Sequence, residues 1–97
     1  MLFTNPKIVS QRIQFEIPEW TQNLLWYLIE SMEVNQKDEI QLFVLSSITV
    51  DGEQKQQIIH SQQQPPYFME HTISASTIIT AKVLAVDCQS HSVMIMC

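Results

Sequence analysis

Few side chains in this sequence are equipped to do chemistry: two cysteines (Cys88, Cys97), three histidines (His60, His71, His91) and ten carboxylates against five basic residues. Cys88 and His91, with two residues between them, have a spacing compatible with zinc, but Cys97 and a distant histidine would have to complete the four ligands. A structural zinc site usually shows two tight pairs, so solvated turn residues account better for Cys88 and His91. A thiol hydrolase needs an imidazole held beside its sulfur and an oxyanion hole. Neither is fixed by the spacing, and a small enzyme using Cys88 or a histidine stands only as an alternative. Glu30 and Glu33 share a face with no apolar pocket to raise a pKa, and Asp38-Glu39 falls in a loop, so both pairs read as wet surface. A single glycine, Gly52, excludes phosphate-cradling loops and dinucleotide motifs. No catalytic residue, metal or cofactor is assigned.

Trp26 invites a different function. At about 100° per residue it lies off the centre of the Leu25-Leu28-Met32 stripe, on the side of Glu19, Glu30 and Glu33. A tryptophan exposed among carboxylates suits a protein partner that presents an apolar pocket bordered by Lys or Arg, since large aromatics dominate binding hot spots. The competing reading is that another strand or the N-terminal segment covers Trp26 in a second core layer, as happens to most large aromatics in small domains. The candidate binding residues are therefore Trp26, Glu19, Glu30 and Glu33. Gln62 to Tyr67, with Pro65-Pro66, offers either an extended recognition segment or a plain strand exit.

The elements that must position these residues can be read from periodicity. Lys7 to Phe15 is predicted as a strand, with Ile13 and Phe15 keeping a two-residue period. Pro18 suits the first turn of a helix and Glu19 its positive end. The helix carries its apolar stripe on Leu24, Leu25, Leu28, Ile29 and Met32, with Trp20 at the edge and Asn35 as its stop. Ile40 to Val50 is a central strand with apolar residues on both faces, ended by the Asp51-Gly52 turn. Gln54 to Ser61 returns from it, and Pro65-Pro66 ends that strand. Tyr67 to Ile73, Thr80 to Asp87 and Ser92 to Met96 complete the set, the last two joined by Cys88 to His91. The expected fold is α+β, with one amphipathic helix packed on a mostly antiparallel sheet of about five strands, in a single domain spanning 1–97.

Charge and composition narrow the function further. The net charge is −5, and the stretch from Glu16 to Glu39, with six acids and Lys37 as its one base, carries all of it. The remaining basic residues are scattered singly, which argues against nucleic-acid binding. No segment approaches the roughly 20 apolar residues needed to span a bilayer, and no basic run leads into an apolar stretch at the N-terminus. Two cysteines near one end fit a reduced compartment. A cytoplasmic location without membrane contact is expected.

Ile17-Pro18 followed by Leu25-Trp26-Tyr27-Leu28-Ile29, then Ile40 to Leu45, then Ile58-Ile59-His60-Ser61-Gln62 with Pro66-Tyr67, resembles a family of small Gram-positive bacterial proteins, staphylococcal in type, known as domain of unknown function 960. The resemblance spans roughly residues 7 to 87, about the length of one domain. Cys88 to Cys97 departs from it by lacking a glycine-containing turn. It implies a compact bacterial cytoplasmic domain and transfers no catalytic residue. The leading functional expectation is a non-enzymatic interaction module that uses the acidic, Trp26-bearing helix face toward a basic protein surface. A homodimer through an uncovered sheet face is the further alternative, suggested by the apolar residues on both faces of Ile40 to Val50.

Overall fold

The computed structural model describes residues 2–97. Eight elements follow one another: β1 (Lys7–Val9), α1 (Gln11–Glu16), α2 (Glu19–Glu30), β2 (Ile40–Val50), β3 (Glu53–Gln62), β4 (Tyr67–Ile73), β5 (Ala81–Asp87) and β6 (Ser92–Met96). All six strands form one sheet in the order β1-β6-β5-β2-β3-β4. Four pairings are antiparallel, and β1 runs parallel to β6, with Ile8 beside Val93. The sheet is therefore mixed.

This corrects the expectation of one helix on a mostly antiparallel sheet of about five strands: there are two helices and a mixed sheet of six. The second helix comes from the segment expected to be one strand, Lys7 to Phe15, and the strand that remains there is short and parallel to its neighbour. Only the segment's first three residues pair in the sheet. Ser10 then caps a helix, its hydroxyl accepting from the Ile13 amide at 3.3 Å, which satisfies an N–H that would otherwise lack a partner. Arg12 and Glu16, one turn apart, form a surface ion pair at 2.8 Å. The main helix also differs at its ends. Pro18 stands just before α2, its carbonyl accepting from the Thr21 and Gln22 amides at 3.0 Å each. The helix stops at Glu30, five residues short of Asn35, and Met32 still reaches the core from the turn beyond.

The β2–β3 hairpin forms as its sequence demands. Asp51 and Gly52 both take positive φ, 52° and 81°, the conformation of the two-residue turn that matches strand twist. The β5–β6 hairpin manages without glycine: Gln89 takes φ 76°. Cys88 N–H donates to the His91 carbonyl at 2.8 Å, and the Gln89 amide to Asp87 Oδ1 at 2.8 Å.

One sheet face is the core. Phe43 and Leu45 of β2, Ile58 of β3, Val83 and Ala85 of β5 and Met94 of β6 pack against Ile13 of α1, Ile17, and Leu25, Leu28 and Ile29 of α2. Phe3, and Ile79 from the β4–β5 crossover, join them on that side. Buried polar groups fasten the irregular segments to this layer. Gln56 donates to the Ser46 and Ile79 carbonyls and accepts from the Ile79 amide, all within 3.0 Å. Asp87, itself buried, accepts from the Phe3 amide at 2.7 Å, and that bond holds its carboxyl below the ordinary range.

Among the described residues, the second face carries no helix or crossover. Residues that pair across strands share a face, which places Ile8, Val93, Val86 and Ile40 in one row and Ile95, Leu84, Leu42, Ser61 and Phe68 in the next. A third row holds Lys82, Val44, Ile59 and Glu70. The molecule measures 43 × 30 × 19 Å, and its shortest extent fits one sheet and one helical layer at the usual spacing of about 10 Å.

Candidate functional site

The histidines and cysteines do not converge. His60 is fully buried, stacked on Phe43 at 4.4 Å between ring centroids, with the Tyr67 ring edge-on at 5.2 Å. Its Nε2 lies 2.7 Å from Gln41 Oε1, and Gln41 in turn donates to Gln62 Oε1 and to the Asp38 carbonyl. Burial, and secondarily the neighbouring His71, lower the His60 pKa to about 4, so the ring is neutral at pH 7 and serves the core. Cys88 and Cys97 are free and exposed; Cys88 lies in the turn after β5 and Cys97 follows β6, at opposite ends of that hairpin. The His91 ring is engaged by the Ser90 hydroxyl at 2.9 Å. Among the described residues, no group of three His, Cys, Asp or Glu is placed to hold a metal ion.

A different constellation does come together. An open groove of about 1220 Å³ runs between α2, the end of α1, β1 and the β4–β5 crossover. Trp26, Glu19 and Glu30 line it, joined by Glu16, Phe15, Tyr27 and Lys7. Phe15 is 80% exposed and Tyr27 61%, an unusual outlay of aromatic surface for two side chains with helical neighbours available to bury them. Trp26 is half-buried, resting on the core, and Lys7 Nζ sits 5.8 Å from the centre of its ring, within the range of a cation–π contact. The same ammonium donates to the Phe3 carbonyl at 3.0 Å. The groove thus combines two exposed rings, one half-covered ring that already holds a cation, and three carboxylates.

Glu33 is not part of it. Because α2 ends at Glu30, the helical rotation that places Glu33 beside Trp26 does not continue, and Glu33 borders a separate hollow with Leu28, Ser31, Tyr67, Met69 and His71. Burial there, with the Glu33 charge adding, raises the Tyr67 phenol above its ordinary value. Phe15, Tyr27 and Lys7 were not singled out from sequence. Ser10 followed by the Arg12-Glu16 pair is the local signal that would have put Phe15 on a helix; the approach of Lys7 to Trp26 has no local signal.

The layered arrangement defines an α+β chain: a mixed six-stranded sheet with two short helices on one side. Over residues 7–97 the sequence matches the family described as staphylococcal protein of unknown function (DUF960), and the chain belongs to that family. A comparison with curated proteins gives no match. Among solved structures, a protein of unknown function from Enterococcus faecalis is similar with a TM-score of 0.81, at 18% identity over 99% of this chain and 92% of that one. At that identity the likeness concerns the fold.

Proposed function

We propose that this chain is a non-enzymatic protein-interaction module whose groove between α1, α2 and β1 receives a basic segment of a partner protein. The observation that carries the reading is the exposure of Phe15 and Tyr27 beside Trp26, on a surface where Glu16, Glu19 and Glu30 line the same depression. Aromatic anchors supply contact area at small entropic cost, and carboxylates around them select lysine and arginine over acidic competitors. Lys7 above Trp26 is an internal example of the contact a partner cation would make. Two free, exposed thiols favour a reducing, cytoplasmic setting. Among the described residues no helix is long and apolar enough to cross a membrane.

The test is selection from a displayed peptide library, followed by titration of the enriched peptides by calorimetry. The expected result is enrichment of peptides with two or more Lys or Arg flanking an apolar residue. Binding should weaken about tenfold or more in Phe15→Ala and in Trp26→Ala, and fall with added salt. Phe15→Ala is the cleaner variant because its side chain is outside the core. Peptides without basic character, or binding indifferent to both substitutions, would overturn the reading.

A further inference from the structure

We propose that the uncovered sheet face is a self-association surface on which a second copy of this chain packs, sheet against sheet, about a twofold axis. Two successive rows on that face are dominated by apolar side chains, Leu42 and Leu84 among them, and the third sets Val44 and Ile59 between Lys82 and Glu70; these four apolar residues are partly exposed and Phe68 on β4 is 62% exposed. Isolated apolar residues on a surface are ordinary, but adjoining apolar rows across β1, β6, β5 and β2 are the mark of an interface.

Two features select a second copy as the occupant. The first is charge. The face carries Glu53, Lys55, Glu70 and Lys82, two acids and two bases, so it is neutral, and the whole net charge of −5 lies on the helical layer and the turns. Packed through their sheets, two copies meet on neutral surfaces and keep their acidic layers on opposite outer sides, which minimises repulsion. The second is area. Six strands about 4.8 Å apart and about seven residues long present roughly 700 Å², close to the roughly 800 Å² each partner contributes to a standard interface. A twofold axis can lie along the strands between β5 and β2, or across them level with Leu42 and Leu84. Either placement sets these two neighbouring leucines against the same pair of the partner subunit, and the product is an aligned two-sheet sandwich with a helical layer on each outer side.

Sedimentation equilibrium and light scattering on the whole chain test this. The wild type should have twice the 11.3 kDa chain mass, and Leu84→Lys and Leu42→Lys, which bring like charges together near the axis, should weaken the dimer by about a hundredfold or more. Both side chains lie outside the helix-covered core, so far-UV circular dichroism should show the fold retained. If either lysine variant fails to fold, Leu84→Ser provides the smaller perturbation and should still shift the dissociation constant measurably. A wild type that stays monomeric at millimolar concentration would overturn the proposal, whether or not another protein binds that face. So would a dimer indifferent to both leucine positions, or one lost on Phe15→Ala, which would move self-association to the groove.

Discussion

The two faces of the sheet are built from the same strands by the same alternation, yet they solve different problems. On the helix side, Phe43, Leu45, Ile58, Val83, Ala85 and Met94 are sealed under α1 and α2; Gln56 and Gln41 enter this layer fully bonded, whereas Thr21 Oγ1 and His60 Nδ1 are buried without a partner. On the other side Leu42, Val44, Leu84 and Val86 alternate with them along the same backbone, and there, among the described residues, no helix covers them and each stays partly exposed. Position on a strand therefore decides hydrophobicity on both sides, whereas the covering layer alone decides whether that hydrophobicity becomes core stability or remains available surface.

The sharpest way to separate the faces is a pair of truncations in the same two strands. Phe43→Ala empties a fully buried site and should cost about 3–5 kcal/mol in urea unfolding. Leu84→Ala on the open face should cost the monomer about 1 kcal/mol or less. Equal costs would mean the second face is covered after all.

Acid should act on the covered face next. The neutral His60 ring, with a pKa near 4 in the fold against about 6.5 unfolded, makes the unfolded chain the better proton acceptor between those values. Stability should therefore be fully present above about pH 6.5 and decline by roughly 3 kcal/mol on titration to pH 4. Equilibrium unfolding at a series of pH values should show that slope, and His60→Phe should flatten it. Asp87, whose carboxyl is lowered by the Phe3 amide, adds a separate loss below about pH 4. Asp87→Ala should cost about 2 kcal/mol by leaving that amide buried without an acceptor. The smallest effect belongs to the margin of the helical layer: Ser10→Ala should remove about 1 kcal/mol by uncapping α1. A larger loss would show that α1 is essential to seating β1.

How much of this was legible beforehand depends on how local its cause is. β2, β3, β4 and β6 announce themselves through alternation and through Asp51-Gly52 and Pro65-Pro66, and their positions agree closely with expectation. α1 did not, because in six residues its apolar members Ile13 and Phe15 fall two apart, and a turn and a half of helix then imitates a strand. β1 could not be assigned its parallel partner, since the pairing of Lys7 with Ser92 spans nearly the whole chain. The same division holds at the groove. Trp26, Glu19 and Glu30 share a face that helical rotation predicts, whereas Glu33 leaves that face because α2 ends at Glu30. Phe15 and Lys7 reach the groove only through elements whose placement is set by tertiary structure.

The parallel pairing of β1 with β6 also sets a schedule. A chain made from its N-terminus has β2 to β4 ready to zip as neighbouring hairpins while β1 has no edge to dock on. The Ser92 amide that bonds the Pro6 carbonyl and the Asp87 carboxylate that receives the Phe3 amide are synthesised about eighty residues later, and closing a loop of that length carries a substantial entropic cost. Until then the segment containing Phe15, Lys7 and the rim of the groove has no seat. During synthesis the groove is consequently among the last parts of the molecule to form.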